Sequence, residues 1–307
     1  MGASVILDCD PGIDDALAIA FAHAHPGIDL LGLTTVAGNV GLARTTQNAL
    51  AVAEFVGAAG LPVTAGAVTP LIRPALDARG VHGESGLGGA DLPSPTTRPA
   101  HGHAIDYIIE TVRSQPGEVT LVATGPLTNI ALAVRKAPDL PGLVRDFVIM
   151  GGSSGRGNVT PAAEYNMWAD PEAASIVFGA GWTVRVLGLD VTLRTGAHAQ
   201  VLARMSELGP LGRELLVPAL EQYRSVSEPG GPAVHDVCAL VYVADPAIFT
   251  MVPASVDVET TGRLTSGMTV TSFDAENHNA AIGMGIDVTR FWDLTLRTYA
   301  ELAERMS

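Results

Sequence analysis

The 307-residue chain predicts an α/β fold, an open and mostly parallel sheet flanked by helices with a helical C-terminal addition. Three observations carry that expectation. Apolar runs of strand length alternate with helical patterns. The runs are almost uniformly apolar, as strands covered on both faces are. The unusual polar residues gather in the segments that follow them, where an open parallel, Rossmann-like sheet binds its ligands.

In chain order, Ser4–Leu7 is the first strand, closed by an acidic loop, and Asp15–Ala24 is the helix that returns the chain. Leu30–Val36 is the second strand, ending before Asn39, and Ala43–Val56 is its helix. Pro62–Ala65 is the third, followed by a glycine-rich loop around His82 and the helix Ala104–Ser114. Val119–Ala123 runs into Thr124-Gly125-Pro126 and the helix Asn129–Ala137. Asp146–Met150, the helix Pro171–Phe178 and Thr183–Gly188 complete the alternation, which implies right-handed βαβ units. After about residue 196 the pattern turns helical, with a late apolar pair at Ala254–Val258 and Thr269–Ser272. Without linker, repeat or low-complexity tract, residues 1–307 are expected to form one domain.

Composition excludes several classes. Hydrophobic residues make up 47% and charged residues 16%, enough to fill a large core and too apolar for disorder. No apolar run approaches the roughly 20 residues that a membrane span needs. The opening MGASVILDCD lacks a basic region and meets Asp8 too soon for a signal peptide. Ile6 stands where a myristoylation signal wants Ser or Thr. A soluble, cytoplasmic protein is expected. Eighteen Lys and Arg against 32 Asp and Glu leave −14, which repels nucleic acid and anionic membrane. Cys9 and Cys238 are too few for a disulfide framework and are expected as small buried residues.

The loop after the first strand is Asp8-Cys9-Asp10-Pro11-Gly12-Ile13-Asp14-Asp15, four carboxylates in eight residues. Pro11-Gly12 makes a tight turn that folds them toward a common point. Helix capping explains one of them, not four beside a buried strand. Oxygen-only ligation suits a hard cation, Ca²⁺ or Mg²⁺, over zinc. Asp236, in His235-Asp236 before the apolar Val237–Val243, is a further candidate ligand, and carbonyls near Thr124 could complete the shell.

Five segments together resemble the nucleoside hydrolase family, inosine–uridine-preferring ribohydrolases. They are Asp8–Asp15, Thr34–Val40, Thr124–Asn129, Asn158 with Glu164-Tyr165-Asn166, and His235-Asp236. The resemblance implies Ca²⁺-dependent cleavage of the N-glycosidic bond of a nucleoside, giving ribose and free base. It implies Asp10, Asp15, Asp236 and the Thr124 carbonyl as ligands, with Asp10 also taking a proton from a cation-bound water. Asp14 and Asn166 would hold the ribose 2′- and 3′-hydroxyls with Asn39 close by. Asn158 and Glu164 would bind the 5′-hydroxyl, and Met150 would pack under the sugar. His235 would assist the departing base, and His82 would lie near that base in a mobile loop. A homodimer or homotetramer is implied as well.

These roles have independent chemical sense. Carboxylates around a ribose stabilise an oxocarbenium-like transition state. A nucleobase anion leaves poorly, so an acid of near-neutral pKa contributes roughly 10²–10⁴-fold, and His235 fits by type. Glu164 at the 5′ end would repel a phosphate, favouring nucleosides over nucleotides. In Ala219–Ser227 only Tyr223 is placed to cover a base; Ala219 and Ser227, a turn away, add no second aromatic. Thr124 is expected to act through its carbonyl, its side chain free to vary. His23, His25, His101 and His103 lie away from the acidic loop and are expected at the surface.

Two other readings compete. A Mg²⁺-dependent phosphatase shares Asp-x-Asp after a first strand, but Pro11-Gly12-Ile13 departs from its turn and Lys136 is the only lysine. A non-catalytic Ca²⁺-dependent nucleoside- or ribose-binding protein would have no need to retain both Asp10 and His235.

Overall fold

A computed structural model describes residues 2–76, 78–223 and 230–307; Ser227 therefore lies outside the described residues. The strands are β1 (Ala3–Cys9), β2 (Ile28–Thr35), β3 (Val63–Ala65), β4 (Val119–Ala123), β5 (Asp146–Met150), β6 (Val184–Leu187), β7 (Phe249–Val258), β8 (Thr269–Ser272) and β9 (Ala280–Ile286). They form one sheet in the order β3-β2-β1-β4-β5-β6-β9-β7-β8. From β3 to β9 neighbouring strands pair in parallel, while β7 runs antiparallel to both β9 and β8.

The apolar strands are buried on two sides because helices cover both faces. Val5, Leu7 and Cys9 of β1 face one core, and Ile6 faces the other. The first core is closed by α1 (Ile13–Ala24), α2 (Leu42–Phe55), α11 (Val237–Ala244) and α12 (Val288–Arg305). There the Tyr299 hydroxyl donates to the Leu17 carbonyl at 3.0 Å, and its ring meets Phe21 edge-on. The second core is closed by α4 (Ala104–Ser114), α5 (Thr128–Lys136) and α7 (Pro171–Phe178). Cys9 and Cys238 are free and buried. Among the described residues no helix is long and apolar enough to cross a membrane.

Short helices sit at the strand ends: α3 (Arg79–His82), α6 (Tyr165–Ala169) and α8 (Leu189–Thr192). The C-terminal part carries α9 (Ala199–Ser206) and a π-helical turn, Leu211–Leu216, that runs into α10 (Val217–Tyr223). It is not helical throughout, because β9 enters the sheet between β6 and β7. Its composition, Ala-Ala-Ile-Gly-Met-Gly-Ile, hides it, since strand propensity is low in Ala and Gly. Partners on both edges supply the pairing that propensity does not.

The connectivity positions the site. The chain leaves β1 toward β2 on one side, while β4 lies on the other, so strand order reverses between β1 and β4. Ligands of open α/β sheets bind outside the carboxyl ends of strands at such a reversal. Asp8 of β1 pairs in register with Ala123 of β4, so the acidic loop and Thr124 emerge side by side.

Candidate active site

Above the reversal lies a cavity of about 470 Å³. Its wall includes Asp14, Asn39, His82, Thr124, Met150, Asn158, Glu164, Asn166, Tyr223, His235 and Asp236, so eleven of the thirteen expected residues converge there. The other two, Asp10 and Asp15, are buried behind the wall, 1% and 0% exposed.

Asp14 and Asp15 occupy the first turn of α1, and Asp236 is the N-cap of α11. Carboxylates are favoured at helix N-termini, where N–H groups and the dipole face them. One oxygen of each lies within 4.8 Å of the others, all three residues buried. Asp15 is also tied to its own loop, accepting from the Gly12 N–H at 3.0 Å and the Thr124 hydroxyl at 3.0 Å. Thr124 therefore does more than offer a carbonyl. Its side chain, expected to be free to vary, holds a carboxylate of the cluster, and its carbonyl accepts from Asn166 Nδ2 at 2.7 Å.

Asp10 sits between glycines. Its Oδ2 accepts from the Asn39 N–H at 2.7 Å, whereas its Oδ1 is buried with no hydrogen-bond partner among the described residues. A Cβ on Gly38 would stand 2.0 Å from Oδ2, and one on Gly125 2.7 Å from Oδ1, so only glycine admits the carboxylate at both flanks. Asn39 also donates from Nδ2 to Asp15 at 3.1 Å, so it braces two carboxylates as well as edging the cavity.

Burial, then repulsion by Asp15, pushes the Asp10 and Asp14 carboxyls up from their ordinary range; Asp15 and Asp236 are also raised, by burial first. No Lys or Arg lines the cavity among its described residues, so none of those offsets this charge. An all-oxygen set with one orphaned oxygen and a cradle kept open by glycine fits a hard divalent cation.

One end of the cavity is ringed. The Tyr223 ring lies 5.9 Å from that of His82 and 6.4 Å from that of His235. His82 ends α3 rather than standing in an open loop, and its Nδ1 accepts from the Ile13 N–H at 3.1 Å. The His235 Nδ1 lies 2.8 Å from the Thr192 hydroxyl. Burial draws both imidazoles down to about 4. At that value the uncharged imidazole, which carries one N–H, is the favoured form of His235.

The other end is polar. Glu164 caps α6, accepting from the Gly152 N–H at 2.8 Å and the Asn166 N–H at 2.9 Å, and burial raises it to about 7. Asn158 accepts from the Tyr165 N–H, and the Tyr165 hydroxyl donates to the Gly38 carbonyl at 2.8 Å. Met150 lines the cavity as well, its sulfur 3.6 Å from Asn166 Nδ2.

Val81, Val159, Tyr165 and Trp168 also line the cavity, although the sequence assigns them no role there. Tyr165 lies inside one of the five motifs, whereas Val159 and Trp168 carry no signal that separates them from core. The histidines set aside are structural or peripheral: His103 caps α4 and His25 stacks on Phe21. Lys136, the cation a phosphatase would need, pairs with Asp106 on the exposed face of α5 and lines no part of the cavity.

A family profile described as inosine-uridine preferring nucleoside hydrolase matches residues 5–293. The inosine-uridine preferring nucleoside hydrolase of Leishmania major is 42% identical, covering 96% of this chain and 97% of its own. The non-specific ribonucleoside hydrolase RihC of Shigella sonnei is 44% identical, covering 95% and 96%. Among solved structures, the purine-preferring ribonucleoside hydrolase from Gardnerella vaginalis superposes with a TM-score of 0.93 at 31% identity, covering 98% of this chain and 99% of that one.

Proposed function

The chain belongs to the inosine-uridine preferring nucleoside hydrolase family, and from that membership we propose a calcium-dependent ribohydrolase in which Asp10 and His235 do the chemistry. The observation that carries the reading is the buried carboxylate cluster at the sheet's reversal, with no Lys or Arg among the described residues of the cavity wall and with Asp10 Oδ1 beside it lacking a partner among the described residues.

Asp10, Asp15, Asp236 and the Thr124 carbonyl would hold the calcium ion, which when bound makes a water more acidic and neutralises the cluster. Asp10 accepts the proton of the attacking water, its carboxylate aimed by the Asn39 N–H and confined by Gly38 and Gly125. Asp14 and Asn166 take the ribose 2′- and 3′-hydroxyls. Asn158 and Glu164 take the 5′-hydroxyl, and Met150 supports the ring. As the glycosidic bond lengthens, positive charge grows on the sugar, and the surrounding carboxylates stabilise it more than they stabilise the neutral substrate. The base leaves toward His82, Tyr223 and His235, where His235 offers an N–H to the electron pair arriving on the base. Glu164, with no Lys or Arg among the described lining residues, favours nucleosides over nucleotides.

The relatives' names cover non-specific, inosine–uridine and purine preferences, so the substrate class proposed is ribonucleosides without a ranking of bases. A cytoplasmic homodimer or homotetramer acting in nucleoside salvage is proposed on the same kinship. Substituting Asp10→Ala tests the central role. Ribose release from uridine and inosine should fall by roughly 10³-fold or more while nucleoside binding, followed by calorimetry, persists. Retained turnover would remove Asp10 as the base.

A further inference from the structure

Thr192 sits at the end of α8, fully buried, with its hydroxyl 2.8 Å from the Nδ1 of His235. The two are 43 residues apart, joined only by the fold. Either atom of that pair could carry the proton, and the surrounding hydrogen bonds decide which does. The Thr192 carbonyl is already taken by the Thr195 hydroxyl at 2.7 Å, and Thr195 in turn lies 3.7 Å from the Cys238 thiol. Among the described residues the Thr192 hydroxyl has no acceptor other than Nδ1. Were Nδ1 protonated, the hydroxyl hydrogen would be buried without an acceptor, a state that folded proteins avoid. Nδ1 therefore accepts, and in a neutral imidazole the proton then resides on Nε2.

We infer that Thr192 is a positioning residue that holds His235 as its Nε2–H tautomer, so that the ring presents a donor to the departing base. This rests on the reading of His235 as the group that assists departure. The ring lines the cavity, and with Nδ1 engaged Nε2 is the nitrogen left for substrate. As the glycosidic bond breaks, its electron pair passes to the base nitrogen, Nε2–H hydrogen-bonds to that nitrogen, and the free base takes its proton from water. Without the Thr192 hydroxyl the ring is free to protonate Nδ1 and to turn a bare Nε2 lone pair on the leaving group, where it repels.

The test compares Thr192→Val and Thr192→Ser with the wild type on uridine and on 4-nitrophenyl ribofuranoside, whose phenolate departs without help. With Thr192→Val, kcat on uridine should fall roughly 10- to 100-fold, with KM and 4-nitrophenyl riboside turnover little changed, and Thr192→Ser should restore it. Imidazole ¹⁵N spectra of the calcium-loaded wild type, with His235 assigned by its loss in His235→Gln, should show a protonated Nε2 and a hydrogen-bonded, unprotonated Nδ1. Equal losses on both substrates, or a protonated Nδ1 in the wild type, would overturn the inference; the spectra decide even if Thr192→Val does not fold. His235→Ala separates the levels. If it slows both substrates equally, the role given to His235 fails, whereas a selective His235→Ala beside a silent Thr192→Val removes only the inference.

Discussion

Asp8 and Asp10 stand two residues apart at the end of one strand, and the fold uses them differently. Asp8 Oδ1 accepts from the Thr34 hydroxyl at 2.6 Å and from Asn129 Nδ2 at 2.8 Å, so it ties β1 to β2 and to α5. Burial lifts its carboxyl to about 7, and its Oδ2 has no partner among the described residues. Asp8 is thus a strut, with no face on the cavity. Asp8→Ala should cost about 1–3 kcal/mol, because Thr34 and Asn129 each lose a buried acceptor. Asp8→Asn keeps an acceptor for both and should be the more stable of the two variants at pH 7. Urea midpoints check the order; an alanine variant as stable as the asparagine one would refute the strut. The sequence marked all four carboxylates of the loop as one group, and spacing alone had no means of separating the strut from the ligands.

At the scale of elements, α3 is held over the site by one unusual bond, the Ile13 N–H at the start of α1 donating to His82 Nδ1. A protonated imidazole has no lone pair there. Because burial draws His82 to about 4 from its ordinary 6.5, the unfolded chain holds a proton between those values that the folded chain lacks. Its contribution is thus complete above pH 6.5 and is lost as pH falls toward 4. The His82→Asn variant makes the comparison, since its amide oxygen can still accept from Ile13 and does not titrate. It should gain on the wild type by up to about 3 kcal/mol across that window. Parallel stability curves for the two proteins would contradict this. Most elements were legible in advance, and Val119–Ala123, Asp146–Met150, Ala104–Ser114 and Pro171–Phe178 match to the residue. The exceptions have physical causes. β9 is poor in strand formers and depends on its two neighbours, α3, α6 and α8 are too short to show a period, and α9 to α12 were expected only as an undivided helical section.

For the molecule as a whole, a chain of net charge −14 buries Asp10, Asp14, Asp15 and Asp236 together at one sheet reversal. Unneutralised, that arrangement costs stability, the usual compromise at a functional site, and a bound cation would offset it. Saturating calcium at about a hundredfold over Kd should stabilise the fold by about 2.7 kcal/mol, and a chelator should reverse the gain. Asp236→Asn should raise the melting temperature without calcium, by relieving repulsion, and abolish the calcium-dependent rise. A variant that still responds fully would place the ion elsewhere. The site was largely legible because its residues follow strand ends in short motifs, and parallel topology gathers strand ends by itself. Thr192, Val159 and Trp168 were not, since each reaches the site through tertiary packing that leaves no local pattern.

The most direct test of the central claim is ribose release from inosine, uridine, cytidine and adenosine by chelated protein, before and after calcium is returned. Release that stops on chelation and recovers with calcium is the expected result, and the order of the four bases would supply the preference. Release undiminished by a chelator, or none from any nucleoside with calcium present, would contradict the account.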